Sequence, residues 1–141
     1  MGRAAARGHR RVPHTADVRI EAWAPDRESC LAEAVAALVE SFVDPAGAAP
    51  DADAEFHLPP QDDPDLLVGV LDEVIFRLET AGVLPLVTRV RATDDGVTVR
   101  WRTASTAAVE LVGAVPKAVS LQELRFGPAD GGWAAAVTLD V

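Results

Sequence analysis

The chain has 141 residues, with 22 Asp and Glu against 13 Lys and Arg and a net charge of −9. That length holds one ordinary domain with a real core, and no apolar run nears the ~18 residues a membrane span requires. Arg3, Arg7, Arg10 and Arg11 stand at the start; the remainder carries nine basic against 22 acidic residues, a balance of −13 that repels phosphate backbones and argues against independent tight RNA binding.

Taken in chain order, residues 1–11 read as a basic, disordered extension and 12–141 as one domain. Val18, Ile20, Ala22 and Ala24 alternate with Asp17, Arg19, Glu21 and Trp23, the two-residue period of a half-buried strand. Pro25 and Asp26 end it, with Asp26 placed to cap a helix. Leu31, Ala34, Val35, Leu38 and Phe42 recur at helical spacing and predict that helix, amphipathic, over 27–43. After an Ala-, Pro- and Gly-rich loop, a short strand is expected over 52–58, closed by Pro59 and Pro60.

A second helix is predicted from Asp63, as a cap before Pro64, to Gly82, a residue suited to a left-handed C-terminal position. Leu67, Val70, Leu71, Val74, Leu78 and Ala81 form its apolar face. The pattern then turns to β: 86–93 and 97–103 flank the Asp94-Asp95-Gly96 turn as a hairpin, with further strands at 110–113, 118–126 and 133–141. Two helices among early strands, followed by hairpin-linked strands, predict an α+β two-layer domain, two helices packed on a mostly antiparallel sheet. The first and last strands are expected to be adjacent. Without an apolar signal block, and with the lone Cys30 excluding an internal disulfide, the cytoplasm is the expected compartment.

Two aspartates stand out because each interrupts an apolar strand, Asp17 near the start and Asp140 near the end. Carboxylates go against strand preference, and near buried surface they need a cation, a proton or several donors. By the pleat, Asp140 leaves the last strand opposite Leu139 and Val137, and Asp17 leaves its strand opposite Val18 and Ile20. On neighbouring strands the two would converge and, with the carbonyl or carboxylate of Val141 and waters, offer oxygen ligands to a hard cation. The competing reading is that Asp17 caps a turn after Pro13 and Asp140 is merely solvated.

Other residues carry less. His14 is read chiefly as a structural group able to orient Asp17, and His57 as structural. Lys117 is the sole lysine of an arginine-rich chain, a compact point charge placed just before a strand, with Glu123 nearby as a helper. Asp62, Asp63 and Asp65 lack the glycine and glutamate of a calcium loop and suit helix capping instead. Phosphate loops, dinucleotide fingerprints and nucleophile elbows are absent from the sequence.

His14-Thr15-Ala16-Asp17-Val18, Lys117-Ala118-Val119-Ser120, and the Gly132-Trp133 turn leading to Leu139-Asp140-Val141 occur in that order. Together they resemble the archease family, over about residues 12–141. The resemblance implies a metal site formed by Asp17, Asp140 and Val141, with calcium, magnesium or manganese as the divalent ion. It implies a functional surface around Lys117, to which the reading of the residues adds Glu123 and His14 as candidate members. The implied role is a non-catalytic activator that binds an RtcB-type RNA ligase transiently, promotes its guanylylation and multiple turnover in tRNA splicing and RNA repair, and meets RNA only through the ligase, with no membrane partner. The chain departs from the family pattern at Arg19, where glycine often follows the Asp-Val pair. The alternatives are a small metal-dependent hydrolase using Asp17 and Asp140, and a chaperone-like interaction module; metal dependence and a requirement for a ligase separate the three.

Overall fold

The computed structural model describes residues 6–12 and 17–141. Strand β1 (Gly8–Val12) and strand β2 (Asp17–Ala24) precede helix α1 (Arg27–Glu40), a two-residue strand β3 (Val43–Asp44) and strand β4 (Ala52–Leu58). Helix α2 (Asp63–Ala81), strands β5 (Val83–Thr93) and β6 (Gly96–Ser105), a 3-10 turn and the short β7 (Glu110–Leu111) come next. Strands β8 (Ala118–Ala129) and β9 (Gly132–Asp140) complete the described chain.

Every strand pairing is antiparallel, but the strands divide into a four-stranded ladder ordered β1-β2-β9-β8, a three-stranded one ordered β4-β6-β5, and the β3-β7 pair. Helix α1 packs on β2 and β5 and α2 on β8 and β5, so one core joins both larger sheets. Ile20, Leu31, Leu38, Leu67, Leu71, Trp101 and Leu139 are among its largest fully buried side chains. The expected α+β architecture therefore stands, with the strand of Asp17 beside the last strand.

Local chemistry explains the element ends. Asp26 caps α1, accepting from the Ser29 backbone N–H at 2.8 Å. The helix stops at Glu40, three residues short of the expected end, because the backbone at Phe42 and Val43, whose side chains stay buried, leaves the helix to pair with the 110–112 segment: Val43 pairs with Leu111, and Val112 N–H donates to the Phe42 carbonyl at 2.8 Å. Gly82 closes α2 at φ 63°, as its position predicts. The cap of α2 is Asp62 and not Asp63; Asp62 makes no capping side-chain bond, and Asp63 accepts from Arg27 Nη1 at 3.1 Å. Gly96 is required at the hairpin, since a Cβ there would lie 1.9 Å from the Leu58 carbonyl oxygen.

The N-terminal segment departs most from expectation. Residues 8–11, read as part of a disordered tail, form β1 on the edge of the four-stranded sheet. His9 and Arg10, with Arg7 before them, have partners that sequence distance concealed. His9 Nδ1 lies 2.6 Å from Glu33 and Nε2 lies 2.9 Å from Glu40, both on α1; Arg7 also pairs with Glu33, and Arg10 donates to Glu21 at 2.7 Å. Burial pulls the His9 pKa down, but the hydrogen bonds and charges of Glu33 and Glu40 outweigh it and hold the ring above its usual value. Residues 1–5 lie outside the described residues.

Candidate functional site

The register of β2 on β9 places Asp17 directly opposite Asp140, Val18 opposite Leu139 and Arg19 opposite Thr138. Directly opposite residues of an antiparallel pair share a face, with Cβ atoms about 4.5–5.5 Å apart. The helix side takes Val18, Ile20, Val137 and Leu139, all buried. Asp17 and Asp140 therefore share the face turned away from the helices, at one end of the sheet. Like charges directly opposite destabilise a ladder. Neither carboxylate makes an ion pair or hydrogen bond among the described residues.

Arg19 stands next along β2 and would be the obvious counter-ion, yet its guanidinium is committed elsewhere. Nη1 donates to Thr138 Oγ1 at 2.8 Å and Nη2 to the Glu123 carbonyl at 3.0 Å. This long side chain thus crosses from β2 over β9 to β8. It meets β8 where the pairing breaks between Ser120 and Arg125, with Glu123 at φ 56°. The departure at Arg19 consequently ties three strands below the acidic pair instead of neutralising it.

Strand β8 brings up Lys117. Ala118 pairs with Asp140, and the Lys117 backbone N–H donates to the Asp140 carbonyl at 2.7 Å. Lys117 is exposed and its ammonium makes no ion pair among the described residues. Pro116, buried just before it, fixes the strand entry. Val141 adjoins Asp140 directly and is partly packed against the core. Glu123 sits farther along β8, in the bulge, engaged through its backbone carbonyl and not beside Lys117. His14 lies outside the described residues.

Oxygen donors fit a hard cation better than a soft one. No group of three His, Cys, Asp or Glu able to hold a metal gathers among the described residues, so backbone oxygen and water would have to complete such a shell. Cys30 is no ligand: it is buried in α1 and burial pushes its thiol up to about 12. His57 is exposed on β4, with Nε2 2.9 Å from the Asp95 carbonyl at the hairpin turn.

A second constellation escaped the sequence reading. The Arg77 guanidinium on α2 lies over the rings of Phe56 and Trp101, at 5.3 and 5.4 Å, and pairs with Glu73 at 2.7 Å. Trp101 is 2% exposed, and its Nε1 has no hydrogen-bond partner among the described residues. The alternation of Trp101 with Arg100 and Arg102 was the available signal for a buried anchor.

Residues 9–141 match the sequence profile of the archease protein family. A probable protein archease of Mycobacterium tuberculosis is 52% identical over 134 residues, covering 95% of this chain and 75% of that protein. The solution structure of Methanobacterium thermoautotrophicum protein 1598 superposes with a TM-score of 0.70 at 24% identity, covering 95% of this chain and 99% of that one. The crystal structure of an archease from Thermotoga maritima, described as a possible chaperone, gives 0.67 at 22% identity, over 92% and 94% of the two chains. At those identities the two structures establish a shared fold.

Proposed function

This chain belongs to the archease family, and from that premise we propose that it is an accessory protein that activates an RtcB-type RNA ligase by promoting its guanylylation. The observation that carries the reading is the Asp17–Asp140 pair, two carboxylates directly opposite on a solvent-facing end of the sheet with no cationic partner among the described residues. Such a pair is costly to a fold that has no use for it.

Asp17, Asp140 and a backbone oxygen of Val141 would hold a divalent cation, calcium, magnesium or manganese. When bound, that ion supplies Lewis-acid and charge-neutralising chemistry to a nucleotidyl-transfer site. The chain's own residues do the positioning. The Lys117 N–H fixes the Asp140 carbonyl, and the Lys117 ammonium stands at the same sheet end as a docking charge. An acidic tip on a strongly acidic body suits a basic cleft, where complementary charge raises the encounter rate.

Guanylylation of an RtcB-type ligase with labelled GTP, with and without this protein, tests the reading. Stimulation by the native chain and its loss in Asp140→Ala and Lys117→Ala, at unchanged thermal melts, are expected. Absence of stimulation refutes the activator role, and equal stimulation by both variants refutes the site. Stimulation that survives chelation of divalent ions favours the chaperone-like reading instead.

A further inference from the structure

The three-stranded sheet turns one face to solvent, and its register lays the side chains out in rows. Asp53, Arg102 and Val87 form the first row across β4, β6 and β5; Glu55, Arg100 and Arg89 form the second; His57, Thr98 and Arg91 form the third. Four of the nine basic residues beyond position 11 thus share one face of a body whose balance is −13. Arg102 pairs with Asp53 at 3.1 Å and Arg100 with Glu55 at 3.2 Å. Arg89 stands opposite Arg100, a like-charge pair, and neither Arg89 nor Arg91 has an ion-pair partner among the described residues. The face carries two positive charges in excess, along the β5 edge.

We propose that this face binds the phosphate backbone of a nucleic-acid strand without reading its sequence. All four cations are arginines, whose planar forks match phosphate oxygens in pairs. Arg89 and Arg91 are one strand repeat apart, about 6.6–6.8 Å, close to the separation of neighbouring phosphates along a chain. The face bears no Phe, Tyr or Trp on which a base could stack, so contacts go to the backbone. Val87 is its one exposed large apolar residue, too little for the anchored core of a protein interface. The groove here, about 560 Å³, is open to solvent; its lining adds Ala54 and Trp101 to the residues of the first two rows, and Trp101, 2% exposed, offers no face for stacking. Such a groove suits an extended chain better than an enclosed small molecule. Weak binding is compatible with the acidic body, because Asp53 and Glu55 on the face are paired with Arg102 and Arg100 and charge beyond about 10 Å is screened at 0.1 M salt, which leaves Asp95 at the hairpin turn, 3.7 Å from His57, as an opposing carboxylate.

The inference is independent of the ligase reading, and its test contains no ligase. Anisotropy of a fluorescent oligouridylate RNA is titrated with the full chain at low salt. Binding is expected, with log K falling against log salt at a slope of about −1.4 for the two free arginines to about −2.8 if all four engage, from −0.7 per phosphate contact. R89Q/R91Q should weaken it at least tenfold. Glu55→Gln, which frees Arg100, should tighten it severalfold, a gain that unfolding cannot produce. No binding at low salt, or binding indifferent to both variants because the arginines of residues 3–11 carry it, overturns the proposal. So does a loss in the double variant without the gain. Competition by polyglutamate or phosphatidylserine vesicles as strong as by unlabelled RNA of equal charge assigns the face to acidic protein or lipid, and overturns it as well.

Discussion

The two large sheets treat charge in opposite ways. On the three-stranded sheet, Asp53 faces Arg102 and Glu55 faces Arg100, so acids on the outer strand are answered by arginines on the central one. At the end of the four-stranded sheet, Asp17 faces Asp140 and receives no answer among the described residues, although Arg19 stands next along the strand. Both arrangements come from the same ladder geometry. The difference teaches that a cross-strand register turns innocuous sequence positions into either a lattice of answered charges or unanswered ones, and that the unanswered charges, Asp17 with Asp140 on one sheet and Arg89 with Arg91 on the other, are the pointers to a ligand.

The largest effect is expected beneath the three-stranded sheet. Trp101→Ala removes the anchor on which Phe56 and Arg77 rest and should cost about 3–5 kcal/mol in urea unfolding. A cost under about 1 kcal/mol would mean that the lattice, and not the core below it, secures that sheet.

At the other sheet, a divalent ion at 100 times its dissociation constant should stabilise the native chain by about 2.7 kcal/mol. Asp17→Asn and Asp140→Asn should each lose most of this gain. Without the ion they should be slightly more stable than the parent, by about 0.2–1 kcal/mol, through relief of the like-charge pair. Equal thermal shifts for parent and variants on adding calcium, magnesium or manganese would remove the metal site.

The edge of the four-stranded sheet supplies a pH test. The folded-state pKa of His9 is raised, so its contribution is complete below the unfolded value of about 6.5 and fades as pH rises through the higher folded value. The native chain should therefore lose stability on the alkaline side of about pH 6.5 relative to His9→Gln, whose profile should be flatter. Parallel melting-pH profiles would show that β1 is held by backbone pairing alone.

The smallest effect belongs to the lattice. Glu55→Ala breaks an ion pair whose members are 73% and 54% exposed, and should change stability by about 0.2–1 kcal/mol at low salt and less at high salt. A loss above about 2 kcal/mol would show that the exposed pairs do more than keep charges apart.

By itself the sequence determined what depends on local period and local chemistry. Helix α2 runs over 63–81 with its left-handed Gly82, β4 over 52–58, and the hairpin turns at Asp94–Gly96, each as the apolar spacing and turn residues predict. The unusual carboxylates of Asp17 and Asp140 were also legible, because an acid in an apolar strand violates a local preference. Only the tertiary structure decided what depends on which strands meet. It set Asp17 opposite Asp140, turned Arg19 toward Thr138 and Glu123, and set His9 between Glu33 and Glu40, more than twenty residues away. It also gathered arginines from β5 and β6 onto one face. Such partners are fixed by long-range register, and register is selected by burial of the opposite face: Val18, Ile20, Val137 and Leu139 under the acidic pair, and Val97, Val99 and Trp101 under the arginines.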